Sequence, residues 1–127
     1  MKKILKTSNA PTAIGTYSQG ISANSFVFTS GQLGIDPETG AMVSGGIESQ
    51  IEQVLKNICA ILAVENLSKN EILKLTVFLV DLNDFPQVNK AFENFFESNE
   101  YPARSTLEVS KLPMDALVEI ECIALRI

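Results

Sequence analysis

From Leu73 to Val80 the chain runs Leu-Lys-Leu-Thr-Val-Phe-Leu-Val, a nearly continuous apolar stretch that reads as a strand covered on both faces. Two helical stripes flank it. Before it, Ile47, Ile51, Val54, Leu55, Ile58, Ile61 and Leu62 recur at helical spacing, with Glu48, Glu52 and Lys56 on the other side. After it, Asp84 as cap and the early Pro86 open a second helix with Phe85, Val88, Phe92, Phe95 and Phe96 on its apolar side. Two helices cover only one face of a sheet, so the other face of the central strand needs a different cover. The economical one is another copy of the chain, which predicts an oligomer with sites at its interfaces.

Shorter segments complete the pattern. Lys2 to Lys6 reads as an edge strand that Asn9-Ala10-Pro11 breaks, and Gly20-Ile21-Ser22 with Ser25 to Thr29 reads as a hairpin turning at Ala23-Asn24. Asp36-Pro37-Glu38-Thr39-Gly40 has the residues of a surface turn, and Ser68 to Glu71 those of a capping box. Tyr101 to Val109 is an extended stretch, Leu112 to Asp115 a turn, and Leu117 to Ile127 a long final strand. The order is three strands, helix, strand, helix, two strands. This predicts an α+β chain with a single mixed sheet and both helices on one face, and at 127 residues one domain spanning 1–127.

A formal net charge of -5, with basic residues scattered apart from Lys2, Lys3 and Lys6 at the start, disfavours a nucleic-acid partner. No window has the continuous apolar length of a membrane span, and the first nine residues lack a secretory apolar stretch, so a cytoplasmic location is expected. Cys59 and Cys122 are too far apart in sequence to suggest a disulfide framework or a zinc site, and both read as reduced, buried filler. The chain has no histidine, which removes the usual general base, the usual metal ligand and the Ser/His and Cys/His triads. Acid-base work falls to carboxylates, Tyr, Lys or Cys, and neither metal nor cofactor is expected.

Arg104, Thr106 and Glu108 share one face of their strand, and Glu119 and Glu121 share the polar face of the final strand, opposite Val118, Ile120, Cys122 and Ala124. Folding these strands together as a hairpin about Leu112-Pro113, apolar face on apolar face, predicts Arg104 near Glu121 and Thr106 near Glu119 on the side away from the helices. Two readings follow from that spacing. One is a set of cross-strand ion pairs on a solvated face. The other is a planar guanidinium fork for a substrate carboxylate, with a Glu that positions or deprotonates water.

Several segments, spanning almost the whole chain, resemble the Rid family, also called the YjgF-type or reactive-intermediate deaminase family. They are Asn9-Ala10-Pro11 with Ala13-Ile14-Gly15 and Tyr17, then Ser18-Gln19-Gly20, Thr29-Ser30-Gly31-Gln32, Thr76-Val77-Phe78 and Asp81 to Phe85 with Val88-Asn89. The most specific are Pro102-Ala103-Arg104-Ser105 and Val118-Glu119-Ile120-Glu121. The resemblance implies a chorismate-mutase-like fold, a homotrimer and active sites in the clefts between subunits. It implies Arg104 as the carboxylate-binding residue and Glu119 as the glutamate of the hydrolytic water, with Tyr17, Ser30, Gly31 and Asn89 lining the cleft. Each lining residue also has a plain structural reading: Tyr17 and Ser30 as polar residues at strand edges, Gly31 in a turn, Asn89 facing solvent on a helix. The chain departs at Thr106, where deaminating members commonly carry cysteine.

The activity so implied is hydrolysis of 2-iminobutanoate and 2-iminopropanoate to 2-oxo acids and ammonia, a reaction that needs positioning and charge complementarity more than a strong nucleophile. Two other functions stay open from the sequence. One is an endoribonuclease or translation inhibitor, which the missing histidine and the acidic charge oppose. The other is a non-catalytic trimer that binds a small carboxylate as a signal.

Overall fold

The computed structural model describes residues 1–126. In chain order the elements are β1 (Lys2–Leu5), β2 (Gly20–Ala23), β3 (Phe26–Thr29), α1 (Gly46–Ala63), β4 (Ile72–Leu79), α2 (Phe85–Phe95), β5 (Ala103–Glu108) and β6 (Val118–Leu125), with 3-10 turns at Lys69–Glu71, Leu82–Asp84 and Pro113–Asp115. The expected order of strands and helices is the observed one. Ile127, the last residue of the expected final strand, lies outside the described residues.

The stripe that begins at Ile47 folds as α1 and buries Ile51, Val54, Leu55, Ile58, Ile61 and Leu62. Val88, Phe92 and Phe96 do the same from α2 and the residue after it. Both pack on one face of a six-stranded sheet in the order β1-β2-β3-β6-β4-β5, where Val27, Leu75, Val77, Leu79, Val118 and Ile120 are fully covered. A one-residue slip of β4 would turn Leu75, Val77 and Leu79 outward together, at roughly 5–9 kcal/mol, so its register is fixed by burial.

The two helices leave the other face open, as their number implies. On β4 it carries Lys74, Thr76 and Phe78, all half-exposed, so the chain alone covers that strand on one side only. Cross-strand registers also set Ile4, Ile21, Phe28 and Ile123 side by side along this face. Among the described residues no helix lies above this apolar row.

Three local expectations need correction. The β2–β3 turn falls one residue later, on Asn24-Ser25, because Ala23 still pairs with Phe26 and Asn24 takes the left-handed conformation (φ 53°) that asparagine tolerates. The side chain that caps ahead of α2 belongs to Asp81, which accepts the Asn83 N–H at 2.9 Å, while Asp84 makes no capping hydrogen bond. The larger change concerns β5, which does not pair with β6. It lies parallel to β4, whose other edge takes β6 antiparallel. The chain from β4 through α2 to β5 is a βαβ unit, and such a crossover returns its second strand parallel to the first. Leu112 to Asp115 therefore joins strands on opposite sides of β4 and is no hairpin turn.

Candidate active site

Strand register decides which way each candidate points. Arg104 sits beside Leu75 and Cys122, both buried, so it faces the helices and not the open side. Its guanidinium carbon is 5.0 Å from the Phe85 ring centre and 5.5 Å from that of Phe92, so two aromatic faces of the α2 side support a half-buried cation. Among the described residues no carboxylate forms an ion pair with it. Arg104, Asn89, Phe92, Glu93, Tyr101 and Pro102 line a cleft of about 380 Å³. Two residues along the same face, the Thr106 hydroxyl oxygen is buried without a hydrogen-bond partner among the described residues.

Glu119 pairs across from Phe78 and points to the open face. Gln32 and Ile120 exchange backbone hydrogen bonds at 2.8 and 3.1 Å, which draws the loop after β3 against β6 and lays Gly31 under the Glu119 carboxylate. A Cβ on Gly31 would stand 2.7 Å from Glu119 Cδ, so only glycine permits this approach. Burial first, and the nearby Glu121 second, push the Glu119 carboxyl above the ordinary carboxylate range.

The Ser30 hydroxyl donates to the Ser18 carbonyl at 2.5 Å, and its N–H to the Gln19 carbonyl at 2.9 Å. Gln19, 3% exposed, secures the preceding segment. Its side-chain carbonyl accepts the Thr7 N–H at 2.7 Å, and its amide donates to the carbonyls of Thr7, Ala10 and Pro11 at 3.0, 3.3 and 2.8 Å. The strap so held brings Tyr17 and Ile14 to a cleft of about 570 Å³ that also contains Ser30, Gly31, Met114 and Glu119.

The candidates thus fall into two groups. Arg104, Asn89 and Thr106 lie together on the helix side of β5 and α2, while Tyr17, Ser30, Gly31 and Glu119 lie together at the other cleft. The expected juxtapositions of Arg104 with Glu121 and Thr106 with Glu119 do not occur, because β4 intervenes and the parallel register turns Arg104 to the opposite face. Two strands laterally and three residues along, Arg104 and Glu119 have backbones roughly 14 Å apart. A small metabolite cannot touch both within one chain.

A third cleft of about 530 Å³ lies between α1 and α2 and holds Cys59 but none of the candidate residues. Cys59 is only half-buried, against the buried position expected, while Cys122 is buried and pushed up to about 12 by its surroundings. Burial also raises the Cys59 thiol, which keeps it from acting as a thiolate nucleophile.

The family model described as Endoribonuclease L-PSP matches residues 7–126. The 2-iminobutanoate/2-iminopropanoate deaminase of Salmonella typhimurium is 48% identical over 128 residues, covering 99% of each chain. The chain belongs to the Rid, or YjgF-type, family. A Rid-family protein from Yersinia pestis superposes with a TM-score of 0.95 at 48% identity, covering 98% of this chain and 99% of that one. The Escherichia coli TdcF structure with bound serine superposes with a TM-score of 0.93 at 43% identity, covering 98% and 99%.

For this Rid-family chain, sequence reasoning assigned no role to Gln19 or Met114. An amide between Ser18 and Gly20 was the only mark of the first, and nothing in the local pattern distinguished the second.

Proposed function

We propose that the chain is a reactive-intermediate deaminase that hydrolyses the C=N bond of 2-imino acids, 2-iminobutanoate and 2-iminopropanoate among them, to 2-oxo acids and ammonia. The observation that carries this reading is the Arg104 guanidinium, half-buried on two aromatic rings and unpaired by any described carboxylate. A cation in that setting is completed by an anion from outside the chain, and its planar fork matches a carboxylate. The names of the relatives support the imine as the reacting group, and the serine bound to TdcF supports a ligand of amino-acid size.

In this reading Arg104 holds the substrate carboxylate while Glu119 accepts a proton from water as its oxygen adds to the imine carbon. Glu119 then returns the proton to nitrogen to give a carbinolamine; the new hydroxyl next passes its own proton through Glu119 to that nitrogen as the C–N bond breaks, and ammonia and a 2-oxo acid leave. A carboxyl held above its usual range is suited to these transfers. Tyr17, Ser30, Gly31, Asn89 and Thr106 shape the cleft, and the unpartnered Thr106 hydroxyl is free to bond substrate or water. No metal or cofactor enters this scheme.

The two groups of residues come together when one protomer lends its Arg104 cleft to the Glu119 cleft of the next. Contact between two different patches is heterologous and forms a ring where its rotation closes; with the three copies that the family resemblance implies, that ring carries three such sites. The uncovered apolar row of Ile4, Ile21, Phe28 and Ile123 would be buried in it. We take residues 1–127 as one such domain and place it in the cytoplasm; no helix among the described residues is long and apolar enough to cross a membrane.

Added protein is expected to speed ammonia release from an imine generated in situ. Arg104→Lys keeps the charge and loses the fork, and kcat/KM should fall at least about 30-fold. Normal turnover by that variant refutes the role given to Arg104, and binding of 2-oxo acids without any turnover favours a non-catalytic carboxylate sensor. The family model's description keeps RNA cleavage as a second reading; an RNase activity that co-purifies with the chain and vanishes in Arg104→Ala would favour it.

A further inference from the structure

Met114 holds a left-handed backbone, φ 56° and ψ 28°, and Asp115 follows at φ 53°. The other described non-glycine residues with positive φ are Asn24, Asn66 and Asn99, whose side chains tolerate that region, whereas a long apolar side chain is strained there. The turn does not depend on the methionine for its anchoring. Leu112 and Ala116 are buried on either side, and the Ala116 N–H donates to the Pro113 carbonyl at 3.1 Å. Met114 itself is 58% exposed, so its side chain does not repay the strain by filling the core.

The turn instead brings this thioether to the rim of the cleft that contains Glu119, Tyr17 and Ile14, the last 85% exposed. Away from Glu119 the lining of that cleft is mainly apolar, with Pro11, Ile14 and Met114 beside the polar Thr12 and Gln32. We infer that Met114, with Ile14, forms the wall that receives the substrate side chain, so that the chain favours 2-imino acids with long apolar side chains over the shortest ones. The inference rests on the deaminase reading for its reaction and on the rim alone for its selectivity. A strained residue that neither caps nor fills the core is retained for what its side chain meets outside the fold.

The test compares the imines derived from leucine and from alanine, each generated in situ by an amino-acid oxidase. Met114→Gly is expected to lower the leucine-to-alanine ratio of kcat/KM about tenfold, as loss of an apolar pocket wall does. Met114→Leu should restore most of the ratio. Because glycine accepts the left-handed backbone, Met114→Gly should also melt higher than the parent chain. An unchanged ratio overturns the inference, including the case in which light scattering shows that Met114→Gly dissociates the assembly, since the residue then serves an interface. In parallel, calorimetry with 4-methyl-2-oxopentanoate and pyruvate reads the wall without turnover. Tighter binding of the longer acid, lost in Met114→Gly, sustains the inference even if no ammonia is released and the deaminase reading fails. Equal binding of the two acids by the parent chain overturns it.

Discussion

Glu119 is pressed between a glycine that offers it room and a second carboxylate that repels its charge. With its folded pKa raised above the ordinary 4.5, the native state holds the Glu119 proton more tightly than the unfolded chain does. The favourable contribution is complete below the unfolded value and is lost as pH rises through the folded one, so at neutral pH the ionised group costs stability. Glu119→Gln is therefore expected to lower imine hydrolysis by about 100-fold or more and yet to melt a few degrees above the parent at pH 7. That advantage should shrink as pH falls through the Glu119 value, which thermal denaturation at a series of pH values would record. In the parent, the acid limb of kcat/KM should lie above the range of a free glutamate; a limb at the ordinary value would rule out Glu119 as the proton carrier.

Glu65, just beyond α1, joins elements that are far apart in sequence. A hydrogen bond from Ser22 on β2, the Lys3 ammonium on β1 at 3.1 Å and the Arg126 guanidinium after β6 at 2.5 Å hold its carboxyl at about 2, against burial that pushes it up. Here the sign is the reverse of that for Glu119. The contribution is complete above the ordinary value of 4.5 and disappears as pH falls from there towards 2. Glu65→Gln should lower the melting temperature by a few degrees at pH 7, with the gap to the parent closing near pH 2; a gap that persists in acid would mean that packing, not charge, ties these elements. No sequence pattern marks such a clasp among positions 3, 22, 65 and 126. The helices, by contrast, were legible because Ile47 to Leu62 and Phe85 to Phe96 repeat every three or four residues, and that period is a local property. Pairing is not local. Arg104 was read on the open face because neighbours in sequence were paired, whereas the crossover through α2 carried β5 to the far side of β4 and changed which side its odd and even residues face. The site's members were legible through the family resemblance, and their division into two clefts only through the register.

At the scale of the molecule, that division gives the proposed ring a direct test. Chains carrying Arg104→Ala and chains carrying Glu119→Gln should each be inactive alone, but assembled together they should recover turnover, since about a quarter of the contacts in an equal random mixture join two intact halves. Doubly tagged mixed assemblies assayed for ammonia release would show this, and silence from them would mean that each chain builds its own complete site. The buried Gln19 amide bears on the same cleft in another way. It grips the strap at Thr7, Ala10 and Pro11, so Thr12 to Tyr17, none of them buried, carry no core. Descendants of this chain can thus rewrite the outward-facing positions of this strap, Gly15 at φ 118° excepted, and acquire a new appetite while the scaffold beneath keeps its shape.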